Sequence, residues 1–143
     1  MNPQNINLLN EIYKNTSMGA LSLKAILPNA IEPNLQSLLQ NQAFRYKQIK
    51  DSAETRLLEA GIAPKEQSAL SKAFVDIGMK VNTIQDKSPS HICEVLIEDS
   101  TSGIINLTRM LNQNPGADED VRDQAEKLID FEHNNINSMK PLL

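Results

Sequence analysis

Apolar residues recur at spacings of three and four positions along several long stretches of the chain. In the first stretch the recurring positions are Ile6, Leu9, Ile12, Tyr13, Ala20, Leu23 and Leu27. This spacing puts the side chains on one face of an α-helix, and that face is buried when it packs against other helices. No stretch alternates apolar and polar residues as a strand does, and aromatic residues, which concentrate in sheets, make up only 3% of the chain. The sequence therefore predicts an all-α protein.

Proline and glycine mark the ends of the predicted helices. Pro3 and Pro89 stand at first helical positions, where a missing N–H costs nothing, and each follows a capping residue. Gly61 is the usual left-handed terminator and ends the second helix. We expect one domain over residues 1–143, with a first helical hairpin at about 3–61, a crossover at 62–87 that carries a short extra helix, and a second hairpin at about 88–141.

The two predicted hairpins resemble each other in sequence. At one common offset Thr16 matches Ser100 and Gly19 matches Gly103, and at an offset two residues longer Tyr46 of the second helix matches Glu132. If a twofold axis perpendicular to the bundle relates the hairpins, the crossover has to run the whole length of the bundle. A four-helix bundle with one long crossover is the ferritin-like topology.

The first hairpin also resembles a known family. The run Leu8-Leu9-Asn10-Glu11-Ile12-Tyr13, the segment that contains Gly19 and the helix over 34–60 are similar to a bacterial family of unknown function within the ferritin-like superfamily. In that family the first helix typically carries a leucine–asparagine start and a central glycine. The resemblance implies a ferritin-like four-helix bundle.

The ligand set of the di-iron members is missing from the sequence. Such a site takes a Glu from each of two helices and a Glu-x-x-His from each of the other two. Glu132 is followed three positions later by Asn135, and Thr16 and Ser100 stand where inward carboxylates are needed. We therefore expect no metal and no cofactor. The alternative is a metal-binding or redox bundle that holds iron or manganese at a non-standard site containing Glu132.

Glu132 nevertheless falls in phase with the apolar stripe of the last helix. It could be a surviving ligand or a proton acceptor. The favoured interpretation is a buried carboxylate that bonds across the bundle, because buried polar groups need partners and a polar layer can fix helix register. The predicted layer consists of Thr16, Gln42, Tyr46, Ser100 and Glu132.

Gly19 and Gly103 each cost a helix about 1 kcal/mol relative to Ala, so a structural reason for them is expected. We predict that the two glycines lie where the first helix of each hairpin crosses the other closely, with the two backbones approaching there. A cavity around Gly19, Ala20 and Gly103 would instead indicate a carrier of a small molecule.

The remaining candidates are weaker. His91 and Glu94 lie three positions apart around Cys93, but one helical turn makes a poor metal site, and Cys93 is better interpreted as a buried core thiol. His133 is expected on the surface. Core filling is the expected role of Met18, Met79, Met110 and Met139.

Charge and composition exclude several function classes. A net charge of −4 with no cluster of Lys and Arg argues against nucleic-acid binding. No apolar run approaches the roughly 20 residues needed to span a bilayer. A single cysteine, with no signal-peptide pattern at the start, favours the cytoplasm. The leading hypothesis is a non-enzymatic bundle that acts through contacts with an unknown protein partner or as a homodimer.

Overall fold

The computed structural model describes residues 1–64 and 86–143. Four long helices occupy these residues: α1 (Pro3–Ile26), α2 (Pro33–Glu59), α3 (Pro89–Gln113) and α4 (Glu119–Met139). Short 3-10 turns, Leu27–Asn29 and Lys140–Leu142, follow α1 and α4. The described residues contain no strand, so the predicted all-α four-helix bundle is confirmed. The short helix predicted within the crossover lies outside the described residues.

Side-chain caps begin three of the helices. The Gln4 amide N–H donates to the Asn2 side chain at 2.9 Å, and the His91 N–H donates to the Ser88 hydroxyl at 3.3 Å. Before α2 the cap is Glu32, whose carboxylate accepts from two amides of the first turn. Each of these caps precedes a proline, whose fixed φ suits the first helical position. Gly61, with φ of +75°, follows α2 in the left-handed conformation that favours glycine.

Polar contacts at one end of the bundle show how the hairpins are oriented. The Asn5 side chain and Asp118 exchange two hydrogen bonds of 2.8 and 2.7 Å, which ties the start of α1 to the loop between α3 and α4. Arg56, near the end of α2, donates to Asp120, near the start of α4, at 2.7 Å. Hence α1 runs antiparallel to α3, and α2 runs antiparallel to α4.

The chain leaves the first hairpin and enters the second at opposite ends of the bundle. Ile62 packs against the apolar cluster that contains Leu8 and Val121, whereas Ile92 belongs to the cluster that contains Leu23. The connection therefore links the two ends, which is the arrangement that the twofold argument required. The division into hairpins and crossover within one domain stays a prediction.

The core is divided along its length into two apolar clusters. The lower cluster is built around Leu8, Leu57, Leu107 and Val121, and the upper cluster around Leu23, Leu39, Ile92 and Met139. Along α1, α3 and α4, buried polar positions separate the residues of one cluster from those of the other. On α1 this position is Thr16, on α3 Ser100, and on α4 Glu132. The candidate site lies at this level.

Candidate functional site

Tyr46 and Glu132 join α2 to α4 through the middle of the bundle. The Tyr46 hydroxyl lies 2.7 Å from both carboxylate oxygens of Glu132 and donates to them. Both residues are buried, with 4% and 2% of their surface exposed. The Phe131 ring packs edge-on against the Tyr46 ring, with the ring centroids 5.0 Å apart. The phenol is therefore held at its hydroxyl and on its ring.

Burial changes the proton affinity of this pair. Removal from water raises the pKa of Glu132, and the nearby negative charge of Asp99 acts in the same direction. Interactions with the side chains of Tyr46 and Ser100 oppose that increase in pKa. The pKa of Tyr46 is raised well above its ordinary value, first by burial and then by the charge of Glu132. The Glu132 carboxyl therefore holds a proton more tightly than a solvated glutamate does.

The other members of the predicted polar layer are also buried, but they are not all bonded to Glu132. The Thr16 hydroxyl donates to the backbone oxygen of Ile12 in its own helix at 2.8 Å. Gln42 is only 5% exposed, and its Nε2 has no hydrogen-bond partner among the described residues. Within the same part of the chain, the Asn15 Oδ1 and the Asn135 Nδ2 are likewise buried without a partner. The layer thus contains polar atoms whose bonding capacity is unused.

A cavity of about 290 Å³ lies at this level, between α1 and α3. Its wall contains apolar side chains and polar groups from all four helices, with Gln42 and Tyr46 supplied by α2 and Glu132 by α4. From α1 it is lined by Glu11, Lys14, Asn15, Met18, Gly19, Ser22 and Leu23, and from α3 by Leu96, Asp99, Ser100, Ser102, Gly103 and Asn106. We call this space the interhelical pocket.

Both glycines line the interhelical pocket, and side chains fill the space that their missing Cβ atoms leave. A Cβ on Gly19 would stand 2.7 Å from Cε1 and Cζ of Tyr46. A Cβ on Gly103 would stand 2.5 Å from Nδ2 of Asn15 and 3.8 Å from Oε1 of Glu132. The predicted close crossing requires the opposite backbone to be the nearest neighbour, but the structure places the Tyr46 ring and the Asn15 amide there. The glycines thus make room for polar side chains.

The remaining candidates are spread over the bundle. His91 Nδ1 lies 3.5 Å from Glu94 Oε2 in a partly exposed pair, and Cys93 is fully buried in the upper cluster. His133 is exposed. Within residues 1–64 and 86–143, no three His, Cys, Asp or Glu side chains are grouped so that they could hold a metal ion.

The methionines do not share one role. Met139 is buried in the upper cluster, and Met110 packs partly buried against the lower one. Met18 is 36% exposed and lines the interhelical pocket, which corrects its predicted role in the core. Met79 lies outside the described residues.

Sequence reasoning missed most of the pocket lining, although the internal match between the hairpins contained the signal. At the offset that relates Gly19 to Gly103, Asn15 matches Asp99, Met18 matches Ser102 and Ser22 matches Asn106. All of these residues line the pocket. A cavity on the axis that relates two hairpins is lined by corresponding positions of both, so matched pairs such as Gly19 with Gly103 and Ser22 with Asn106 mark it.

Comparison with known proteins shows the fold only. No protein-family model matches the chain, and no curated protein matches it in sequence. Among solved structures, it is similar to the crystal structure of a DUF305 fragment from Deinococcus radiodurans, with a TM-score of 0.77 and 13% sequence identity. The alignment covers 98% of this chain and 95% of that one. The two chains therefore share a four-helix fold over nearly their whole lengths.

None of the helices in the described part of the chain is long and apolar enough to cross a membrane.

Proposed function

We propose that this chain is a non-enzymatic helical bundle that binds a small organic molecule in the interhelical pocket. The observation that carries the proposal is the Gln42 amide, which lines the pocket and is 95% buried, with an Nε2 that lacks a partner among the described residues. A buried donor left unsatisfied costs about 1–3 kcal/mol. A ligand that brings an acceptor to Nε2 removes that cost, and so gains affinity.

The composition of the pocket wall supports the same function. Ligand sites in proteins are mostly apolar concave spaces with a few well-placed polar groups, and the volume of about 290 Å³ is at the small end of their range. Leu23 and Leu96 provide apolar wall, while Ser100 and Glu132 provide buried polar groups. A compact ligand with an apolar body and one or two polar groups fits such a wall.

A fragment screen by two-dimensional amide NMR tests the proposal. We would add small amines, alcohols, amides and carboxylic acids one at a time to the protein. At least one should shift the amide signals of pocket residues such as Gly19 and Gly103. In Gly103→Leu the added side chain fills the pocket and binding should be lost, whereas Thr101→Leu adds the same side chain at an exposed position of α3 and should keep it.

Two results would overturn the proposal. One is a screen in which no fragment binds the wild-type protein. The other is binding that survives in a folded Gly103→Leu protein, because the ligand would then lie elsewhere. If Gly103→Leu fails to fold, Ser22→Leu serves as a second variant that fills the pocket from α1.

We also infer that the chain belongs to the ferritin-like superfamily and that it acts in the bacterial cytoplasm. Support for the first inference comes from the connection between opposite ends of the bundle and from the matched residues of the two hairpins. The single Cys93, a free and buried thiol, supports the second. Function through contacts with a partner protein or a second copy stays a prediction.

Binding of iron or manganese at Glu132 remains the alternative function. The buried carboxylate is the feature that favours it. Elemental analysis of protein purified with iron, manganese and zinc present decides between the two functions. Stoichiometric metal that disappears in Glu132→Ala would support the metal site.

A further inference from the structure

Within the described part of the chain, most charged groups that line the interhelical pocket are acidic. Its titratable lining comprises Glu11 and Lys14 from α1, Tyr46 from α2, Asp99 from α3 and Glu132 from α4. Among the described residues, three carboxyl groups thus share this space with one ammonium group.

Glu132 has acceptor capacity that its protein partners leave unused. A carboxylate offers about four lone-pair positions. The Tyr46 hydroxyl and the Ser100 side chain are its partners in the described residues, and no Lys, Arg or His of those residues forms an ion pair with it. Buried carboxylates are normally compensated by a positive charge or by several donors. The partner that would compensate Glu132 is therefore one that the ligand can supply.

The wall next to Glu132 leaves room for such a partner. The Cβ position missing from Gly103 lies 3.8 Å from Oε1 of Glu132 and 2.5 Å from Nδ2 of Asn15, so the Asn15 amide occupies it, and the room for a ligand is the adjoining pocket of about 290 Å³. Asn15 also lines this side of the pocket, and its Oδ1 is a second acceptor without a partner in the described chain. Two acceptors that line one space suit a group that carries several N–H donors.

We propose that the ligand of the interhelical pocket is a small organic ammonium ion, whose N–H groups donate to Glu132 and to Oδ1 of Asn15. This inference rests on the proposed function and names the ligand class. Leu23, Leu96 and Met18 contact the apolar body of the amine. An acceptor on that body, such as an ether or hydroxyl oxygen, would reach the Gln42 amide. When Glu132 is ionised, the ammonium ion binds through hydrogen bonds and charge alone. No proton moves and no covalent bond forms or breaks.

A matched pair of ligands tests the ammonium group directly. Cyclohexylamine is protonated at neutral pH, and cyclohexanol has the same ring with a neutral polar group. We expect the amine to bind the wild-type protein about tenfold more tightly than the alcohol, since hydrogen bonds to charged groups reach that strength. Calorimetry or ligand titration by NMR measures both affinities.

The Glu132→Gln variant is the control for the carboxylate. The Gln side chain keeps an acceptor for the Tyr46 hydroxyl, so the variant should fold, and an unfolding curve verifies this. The preference for the amine over the alcohol should disappear in the variant. In Lys14→Met amine affinity should rise, because the variant removes a like charge from the pocket wall.

The pH of the titration provides a second measurement. Protonation of Glu132 removes the negative charge that binds the ammonium, so amine affinity should fall as the pH decreases through the pKa of Glu132. The other titratable groups in the described lining of the pocket are Tyr46, which stays protonated, and Asp99, Glu11 and Lys14, which are present in both the wild type and Glu132→Gln. The part of the pH dependence that the variant lacks therefore belongs to Glu132.

The outcomes separate this inference from the proposed function. Equal binding of amine and alcohol to the wild type, abolished for both in Gly103→Leu, overturns the ammonium proposal but supports a small-molecule pocket. The same holds if only carboxylic acids or amides bind. A preference for the amine that persists in Glu132→Gln also overturns it. If no fragment of any class binds, both proposals fail.

Discussion

The contrasting surroundings of Gly19 and Gly103 predict opposite effects of the same substitution. Replacing a helical glycine by alanine should stabilise a helix by about 1 kcal/mol, because alanine loses less backbone entropy on folding. At Gly19, however, the new Cβ would stand 2.7 Å from two atoms of the Tyr46 ring. This ring cannot yield easily, since its hydroxyl is bonded to Glu132 and Phe131 packs edge-on against it, with the ring centroids 5.0 Å apart.

Overpacking of this kind typically costs about 1–3 kcal/mol. The gain in helix propensity offsets about 1 kcal/mol of this cost, so Gly19→Ala should lower the free energy of unfolding by up to about 2 kcal/mol. At Gly103 the atom nearest to the new Cβ is Nδ2 of Asn15, the end of a half-buried side chain that can rotate away. Gly103→Ala should therefore be neutral or stabilising, by at most about 1 kcal/mol.

Urea unfolding followed by far-ultraviolet circular dichroism measures both variants against the wild type. A double-mutant cycle locates the cause, because in Tyr46→Leu the ring is absent and Gly19→Ala should no longer destabilise the protein. The reasoning is refuted if Gly19→Ala is as stable as Gly103→Ala, or if its cost is unchanged in the Tyr46→Leu background.

Two further predictions concern stability. Burial raises the folded pKa of Glu132 above its unfolded value, so the stability that this group contributes is present below the unfolded pKa and is lost as the pH rises through the folded pKa. Glu132→Gln should therefore stabilise the protein more at neutral pH than in mild acid. Urea unfolding curves of the variant and the wild type at both pH values measure this difference. A difference that is absent or reversed would contradict the prediction. Asn5→Ala removes both hydrogen bonds to Asp118 and should lower the free energy of unfolding by about 1–3 kcal/mol. Asp120→Asn breaks the exposed ion pair with Arg56 and should lower it by less than about 1 kcal/mol. Equal losses in the two variants would contradict that ranking.

Much of the fold follows from local sequence signals. The helix starts at Pro3 and Pro89 and the end near Gly61 depend on caps and backbone preferences that act within a few residues, so they can be read without tertiary information. Glu32 shows the limit of such rules, because a glutamate is an unusual N-cap and only its geometry shows that it accepts from Asn34 and Leu35. The orientation of the hairpins followed from their matched residues.

The site was less accessible to sequence reasoning. Burial of Glu132 could be predicted from helical phase, but the choice of Tyr46 as its partner depends on how far α2 and α4 approach each other. At Gly19 the sequence shows that a side chain is missing. It does not show which neighbouring side chain fills the space. A pocket is the volume that packing leaves over, and no single residue encodes it. In the sequence, the lining of the pocket is indicated only by matched pairs such as Asn15 and Asp99. These two residues can be assigned to one pocket only once α1 and α3 are known to be neighbours.

The bond between Tyr46 and Glu132 also bears on how the two halves of the chain recognise each other. These residues occupy matching positions of the two hairpins, yet they are chemically different and complementary. Two copies of the first hairpin would bring two phenols together at this level, and two copies of the second would bring together two buried carboxylates that repel each other. Only the mixed combination pairs a neutral hydroxyl donor with a carboxylate acceptor, and such charge-assisted hydrogen bonds are the stronger kind. The central polar bond thus favours association of unlike halves over self-association of either one.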